Sequence, residues 1–189
     1  MHVHIAMGRI SMRGAFELLS TAVDDLALVQ DLEQSQHIIR GTARRLVNAH
    51  GSTVVLLEDG DCFYADEDAV SPLWKGQRFP VQQCISGWAI LHRQPAIVPD
   101  IRVDERVPQE AYRPTFVKSL VIVPMRVDDP LGAIGVYWIQ PHQVADEDLA
   151  RLQSLATAAG AALTRLMTPA GTTPRRCRSV GSEATGTPV

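Results

Sequence analysis

From about Asp24 to Asn48, the residues Leu28, Leu32, Ser35, Ile39, Thr42 and Leu46 recur at alternating spacings of four and three. That is the period of a helix with one adhesive stripe, diluted here by Ser and Thr. Asp24 and Asp25 stand where acids favour a helix start, Arg44 and Arg45 stand near the other end, and Asn48-Ala49-His50-Gly51 breaks the run. The stripe has two possible partners. One is the chain's own sheet; the other is the same helix of a second chain, meeting Val29, Gln36, Ala43 and their neighbours. After Gly51 the period shortens to two. STVVLLE predicts a strand, Glu58-Asp59-Gly60-Asp61 a tight turn with Asp-Gly at its centre, and CFYA the returning strand of a hairpin. The next stretch, DEDAVSPLWKGQRFP, is acidic and then punctuated by Pro72, Gly76 and Pro80, so it predicts a loop with a brief strand at Gln77–Phe79.

Helical spacing returns from Gln82 to His92 through Ile85, Trp88, Ala89 and Leu91, and Gln94-Pro95 ends it before an extended Ala96-Ile97-Val98. A polar loop then leads through Pro99-Asp100 to Tyr112-Arg113-Pro114-Thr115-Phe116. Lys118–Val127 and Ala133–Ile139 alternate as two further antiparallel strands. Pro124 cannot donate to a ladder, which predicts a bulge there or a position whose amide would face no partner. The last helix opens at Asp146, read as its N-cap, and carries two stripes: Leu149, Leu152, Ala156, Ala159, Leu163 and Leu166, and beside them Leu155, Ala158 and Ala162. One face suits the sheet and the other a partner helix. From Thr168 onward Pro, Gly, Ser, Thr and Arg dominate and no period survives. The domain organisation read from these patterns is a flexible lead-in over 1–20, one domain over 21–168, and a disordered tail or linker over 169–189.

Composition narrows the classes. A chain of 189 residues with 46% hydrophobic and 21% charged residues is globular, and a domain near this size buries roughly 70% of the surface its unfolded chain exposes. A formal charge of -3 gives no electrostatic attraction for nucleic acid or an anionic membrane. Nothing approaches a membrane span, and the first residues lack the apolar core of a secretion signal. Cys62, Cys84 and Cys177 are widely spaced without a CxxC, which argues against a zinc site or a disulfide framework and fits a reduced, cytoplasmic setting. Asp61, Asp66, Glu67 and Asp68 match no calcium-loop spacing, so they are read as a solvated acidic loop.

Several pieces now share an order: the apolar helix carrying Gly87, the Pro95–Ile101 step PAIVPDI, the strand SLVIVPM at Ser119–Met125, and the strand GAIGVYW at Gly132–Trp138. Together they resemble the GAF domain family over roughly Asp24 to Met167. The wording AYRPTFVKSL followed by AIGVYW resembles the sensory GAF domains of bacterial two-component sensor histidine kinases. The resemblance implies an α+β, GAF-like (PAS-related) fold. Its central antiparallel sheet would carry the N- and C-terminal helices on one face, with loops and a short helix covering a pocket on the other.

Pocket candidates follow from that frame: Trp88, Asp100, Tyr112, Phe116, Ser119 and Tyr137. Trp88 is a candidate floor, with core packing as its alternative role. Asp100 stands at a step where the phytochrome branch of the family meets its chromophore, but Ile101-Arg102 replaces that branch's Ile-Pro, and loop capping is its other reading. Tyr112 and Phe116 lie where family pockets are lidded, and Ser119 and Tyr137 are expected to turn their hydroxyls inward from the strands.

No catalytic residue, cofactor or metal is expected. The methionine sulfoxide reductase branch needs attacking and resolving thiols in the connector, and no Cys lies between His92 and Trp138. Cys84, near a helix start, is read either as an inert thiol or as a redox sensor. The Cys-His pair for a bilin is missing, as is the Asn-Lys-Phe-Asp-Glu set of cyclic-nucleotide binders, and His92 is read as a surface residue rather than a haem ligand. The resulting expectation is a non-enzymatic input module that binds a small molecule or a partner domain. It would form a homodimer through helices 24–48 and 146–167 and act on a signalling output domain. The alternatives are a thiol-dependent enzyme resembling free methionine sulfoxide reductase and a ligand-free dimerisation module.

Overall fold

A six-stranded antiparallel sheet, its strands in the order Arg78–Pro80, Asp61–Ala69, Gly51–Glu58, Gly132–Trp138, Ser119–Met125 and Ala96–Val98, divides the molecule into two hydrophobic layers. The computed structural model describes residues 10–168, so the expected tail at 169–189 and the first nine residues lie outside the described part. The strands are β1 (Gly51–Glu58), β2 (Asp61–Ala69), β3 (Arg78–Pro80), β4 (Ala96–Val98), β5 (Ser119–Met125) and β6 (Gly132–Trp138). The helices are α1 (Met12–Leu28), α2 (Leu32–Leu46), α3 (Ile85–His92), the single turn α4 (Gln109–Tyr112) and α5 (Asp146–Met167). No helix among the described residues is long and apolar enough to cross a membrane.

The α+β architecture matches the sequence-based expectation; the N-terminal third differs in detail. The helical period predicted over 24–48 is interrupted at Val29-Gln30-Asp31. Asp31 has extended backbone and accepts from Gln34 N–H at 2.7 Å, so it caps α2, while Asp24 and Asp25 belong to the last turns of α1. Much of the expected lead-in is therefore helix: α1 starts at Met12, capped by Ser11. This helix buries Ala15, Ala22 and Leu26 in the same layer as Val29 and Ala43. Val29 and Ala43 thus pack within one chain, and Gln36 lies beside Asp66 and Lys75.

α5 has the predicted bounds, although Ala145 occupies the cap position and Asp146 is the first helical residue. Its two stripes pack on β5 and on the chain's own α1 and α2. Arg165 ties the bundle together by donating to the carbonyl oxygens of Leu26 (3.1 Å) and Val29 (2.7 Å) at the end of α1. Gly160 allows Arg126 to cross α5 closely, since a Cβ there would lie 2.6 Å from the Arg126 Cγ.

The β1–β2 hairpin turns at Asp59 and Gly60, both at positive φ (52° and 86°), as a two-residue turn of this hand requires. Between Val54 and Val55 the register shifts by a β-bulge, so that Val54 faces Asp66 and Val55 faces Tyr64, with Ala65 extra. Pro124 pairs in register with Ala133, and β4 reaches only Leu120–Ile122, so no strand lies on the other side of Pro124. Of the two predicted outcomes, the one without a bulge is observed.

Candidate functional site

The face of the sheet opposite the long helices carries α3, α4 and the loops between them. Strand alternation decides which side chains reach it. On β5 and β6, Leu120, Ile122, Ala133 and Tyr137 point to this face, whereas Val121, Val123, Ile134, Val136 and Trp138 point to the helical layer. Ser119 pairs with Trp138 and Tyr137 with Leu120, so Ser119 and Tyr137 lie on opposite faces. The expectation that both hydroxyls enter one pocket is corrected here. Ser119 is buried on the helical side and donates to Gln140 O at 2.8 Å.

Tyr137 lies along the sheet over Gly135 and shares a 2.9 Å hydrogen bond with Thr53 Oγ1. Around it stands an aromatic cluster. Trp74 meets Tyr112, Tyr64 and Tyr137 edge-on at centroid distances of 4.8, 5.5 and 5.7 Å, and Phe79 meets Tyr64 at 5.5 Å. The Tyr64 hydroxyl is satisfied by Ser86 Oγ at 3.1 Å. Burial raises the phenols of Tyr64, Tyr112 and Tyr137 well above their usual range, so all three remain protonated. What the rings leave open, beside Cys84, Ala111 and Tyr112, is a cavity of about 20 Å³, roughly the room for one water.

Trp74 comes from the acidic stretch predicted as loop, and three neighbouring carboxylates explain its position. The bulge turns Asp66 to the helical face, where it pairs with Arg40 of α2 and with Lys75 at 2.7 Å. Burial opposes its ionisation, but the bonds from Lys75 and Arg40 outweigh it and hold the carboxyl below its usual range. Asp68 pairs with Arg44 of α2. Glu67 faces the other way and accepts from the backbone N–H groups of Leu73, Trp74 and Lys75 at 2.9–3.0 Å, anchoring the loop that lays Trp74 on the sheet. These acids are structural anchors rather than a solvated loop. Among the described residues no group of three His, Cys, Asp or Glu side chains is placed to hold a metal ion.

The remaining sequence candidates divide. Tyr112 is fully within the cluster, and Phe116 is half-buried against Gly51, where a Cβ would approach its ring tip to 2.9 Å. Trp88 is not a floor: α3 turns Ile85, Ala89 and Ile90 inward, while Trp88 lies at the rim, stacked on His92 (4.3 Å) and covered by the Arg106 guanidinium (4.5 Å). Asp100 caps its loop. Hydrogen bonds from the Arg102 side chain and backbone N–H hold its carboxyl down at about 2. The same Asp-x-Arg clasp recurs at Asp104 and Arg106.

Cys84 caps α3, accepting from Gly87 N–H at 3.3 Å, and lies with Cys62 in the layer that holds the aromatic cluster. The neighbouring Cys62 thiol and the Gly87 and Ser86 N–H groups favour the Cys84 thiolate, while Cys84 and burial push the Cys62 thiol up. On the helical side a separate hollow of about 480 Å³ opens beside Ile10, lined by His50, Trp138 and Arg151, with Arg151 already engaged by Glu147 and Asp148.

A family model described as GAF domain matches residues 29–164. The chain belongs to the GAF domain family. No curated protein matches the sequence. Among solved structures, the GAF domain is similar to that of a phosphoenolpyruvate-protein phosphotransferase from Acinetobacter, at 14% identity and a TM-score of 0.71, over 80% of this chain and 93% of that one. It is similar to the chromophore-binding domain of a bacteriophytochrome from R. palustris, at 16% identity and TM-score 0.71, over 85% of this chain and 63% of that one. It also resembles free methionine-R-sulfoxide reductase from Neisseria meningitidis, solved with its substrate, at 16% identity and TM-score 0.68, over 82% and 91% of the two chains. At these identities the likeness is one of fold, and the fold is a sensory and regulatory one.

Proposed function

We propose that this GAF domain is a non-enzymatic, cytoplasmic signal-input module of a bacterial two-component type. A small molecule or a partner domain acts on its aromatic face, and the response leaves through the helical layer to an output domain. The observation that carries this reading is the two-sided packing of β5 and β6: alternate residues of the same two strands touch the aromatic cluster and the α1, α2 and α5 bundle. A shift of Tyr137 on one face displaces the backbone that positions Val136 and Trp138 on the other. In this reading a ligand settles in the hollow of about 280 Å³ along Trp74, Phe79 and Ala111 and reaches the smaller cavity beside Tyr112 by an outward movement of the α4 segment. A ligand that prefers that open form shifts the population toward it.

The dimer contact in this reading is the outer side of α1, where Met12, Phe16 and Val23 are 69%, 72% and 37% exposed, rather than the α2 residues chosen from the sequence. Native mass spectrometry of the purified protein tests both parts. A dimer abolished by Phe16→Asp and a co-purified small molecule support the reading, whereas a strict monomer at every concentration overturns the helix-coupled dimer.

A further inference from the structure

We propose that the hollow of about 480 Å³ on the helical side is a second ligand site, and that it takes a small planar aromatic base bearing N–H donors. This inference goes beyond the signal-input reading and does not depend on it. The hollow lies where the beginning of α1, the end of α2 and the first turns of α5 converge on the end of β6. Met12 comes from the first of these, Leu46 from the second, Glu147, Asp148 and Arg151 from the third, and Trp138 from the strand. Its volume falls within the range of pockets that hold small molecules, roughly 300–1,000 Å³. Residues from all three long helices share this one hollow, so a bound molecule joins the starts of α1 and α5 to the end of α2.

The wall defines what fits. Trp138 and His142 are stacked with ring centroids 4.4 Å apart and planes tilted by 31°, which gives one side a flat aromatic surface. His50 forms another part of the wall, and among the described residues its Nδ1 is a buried polar atom without a hydrogen-bond partner. Native proteins keep few such atoms, and one beside a hollow calls for a partner that the chain does not supply. Burial, then Arg44 and His142, lower the pKa of His50 and favour its neutral form, in which one ring nitrogen is an acceptor. No hydrogen bond at Nδ1 holds the ring, so the imidazole is able to turn and offer that nitrogen to a ligand. The cations are already used. Arg151 donates to Asp148 at 2.6 Å and to Glu147 at 3.2 Å, and Arg44 is paired with Asp68. Two carboxylates against one guanidinium leave the α5 part of the lining with one net negative charge, which disfavours an anion and favours a donor. In the complex the ligand ring lies against the Trp138–His142 pair and its N–H reaches His50.

The test follows the full chain, labelled with nitrogen-15, by NMR during titration with 2-aminopyridine and with benzamidine, and with benzoate as an anion of similar size. The expected result with the two bases is a saturating shift of the backbone amides of residues 46–50 and 145–151. The Nδ1 resonance of His50 should move with them, and benzoate should cause none of these shifts. His50→Phe keeps a ring but no nitrogen, and it is expected to weaken binding about fivefold to tenfold, the worth of one hydrogen bond. His50→Asn, whose amide stands near the place of Nδ1, should retain most of the affinity. The proposal is overturned by the absence of a saturable shift with either base, by shifts centred on residues 72–79 and 109–115 instead, by an unmoved His50 nitrogen, or by equal shifts with benzoate. The titration uses the unmodified protein, so it does not rely on a substituted chain folding. A negative result leaves the dimer stoichiometry and any ligand of the aromatic face unaffected, so the two readings fail separately.

Discussion

The Tyr137 hydroxyl and Thr53 Oγ1 are hydrogen-bonded at 2.9 Å inside the sheet face, with Gly135 directly beneath the ring. A Cβ at residue 135 would come within 2.3 Å of that hydroxyl and 2.7 Å of the threonine oxygen. The glycine is what lets the tyrosine lie flat. Gly135→Ala is expected to lift the ring and destabilise the domain by about 1–3 kcal/mol, as overpacking does, read by urea unfolding. Tyr137→Phe keeps the ring but leaves Thr53 without that partner, at a cost of about 1–3 kcal/mol. An unchanged unfolding midpoint in Gly135→Ala would show that the ring position is not fixed by this contact.

Tyr112 fills the space that a ligand would take. Tyr112→Ala is expected to enlarge the cavity at a cost of about 3–5 kcal/mol, the range for losing a large buried aromatic side chain. A small phenol added to the variant should recover part of the melting temperature, with no such effect on the unmodified protein. Equal effects on both proteins would place the phenol elsewhere.

Glu67 carries the loop of Trp74 through three backbone amides. Glu67→Ala frees all three and is expected to cost about 2 kcal/mol, since hydrogen bonds to a charged group contribute about 1.5–3 kcal/mol. Hydrogen exchange in residues 71–76 should accelerate, while the amides of β5 and β6 should change little. Uniform acceleration across the sheet would indicate global unfolding instead.

Much of this arrangement is written in local pattern. The Leu and Ala stripes of α5, the Asp59-Gly60 turn and the Gly132–Trp138 strand follow from spacing and turn chemistry alone. Trp74 does not, because its position depends on Glu67 gathering amides six to eight residues downstream, a contact with no period. Helix α1 was obscured because its buried side includes the small residues Ala15 and Ala22, and because Asp24-Asp25 imitates a helix start that Asp31 actually provides. Ser119 was misassigned for a different reason. Facing depends on pairing across strands, and the pair Ser119 with Trp138 is not visible within either strand.

Acid should act through Asp66. Its folded carboxyl lies below the ordinary value, so it adds stability above the unfolded pKa near 4 and loses that contribution as pH falls through the lower folded value. Asp66→Asn is therefore expected to be less stable than the unmodified protein by about 2 kcal/mol at neutral pH. The gap should narrow below about pH 4. A gap that persists undiminished in acid would mean that the charge of Asp66 is not what the pairing with Arg40 and Lys75 uses.

The extra residue at Ala65 works as a frameshift in space. Upstream of it, even-numbered positions of β2 supply the aromatic face; downstream, even-numbered positions supply the cationic side of α2, and the odd Glu67 is left to hold the Trp74 loop. Were that residue paired as an ordinary rung of the ladder instead of set aside, no chemistry in the alphabet of the strand would change, yet the destinations of three consecutive acids would be exchanged. Two carboxylates would be delivered into a nest of aromatic rings, and the loop's anchor would be sent toward arginines that already have partners. The grammar of this face therefore resides in a single residue left out of the pairing.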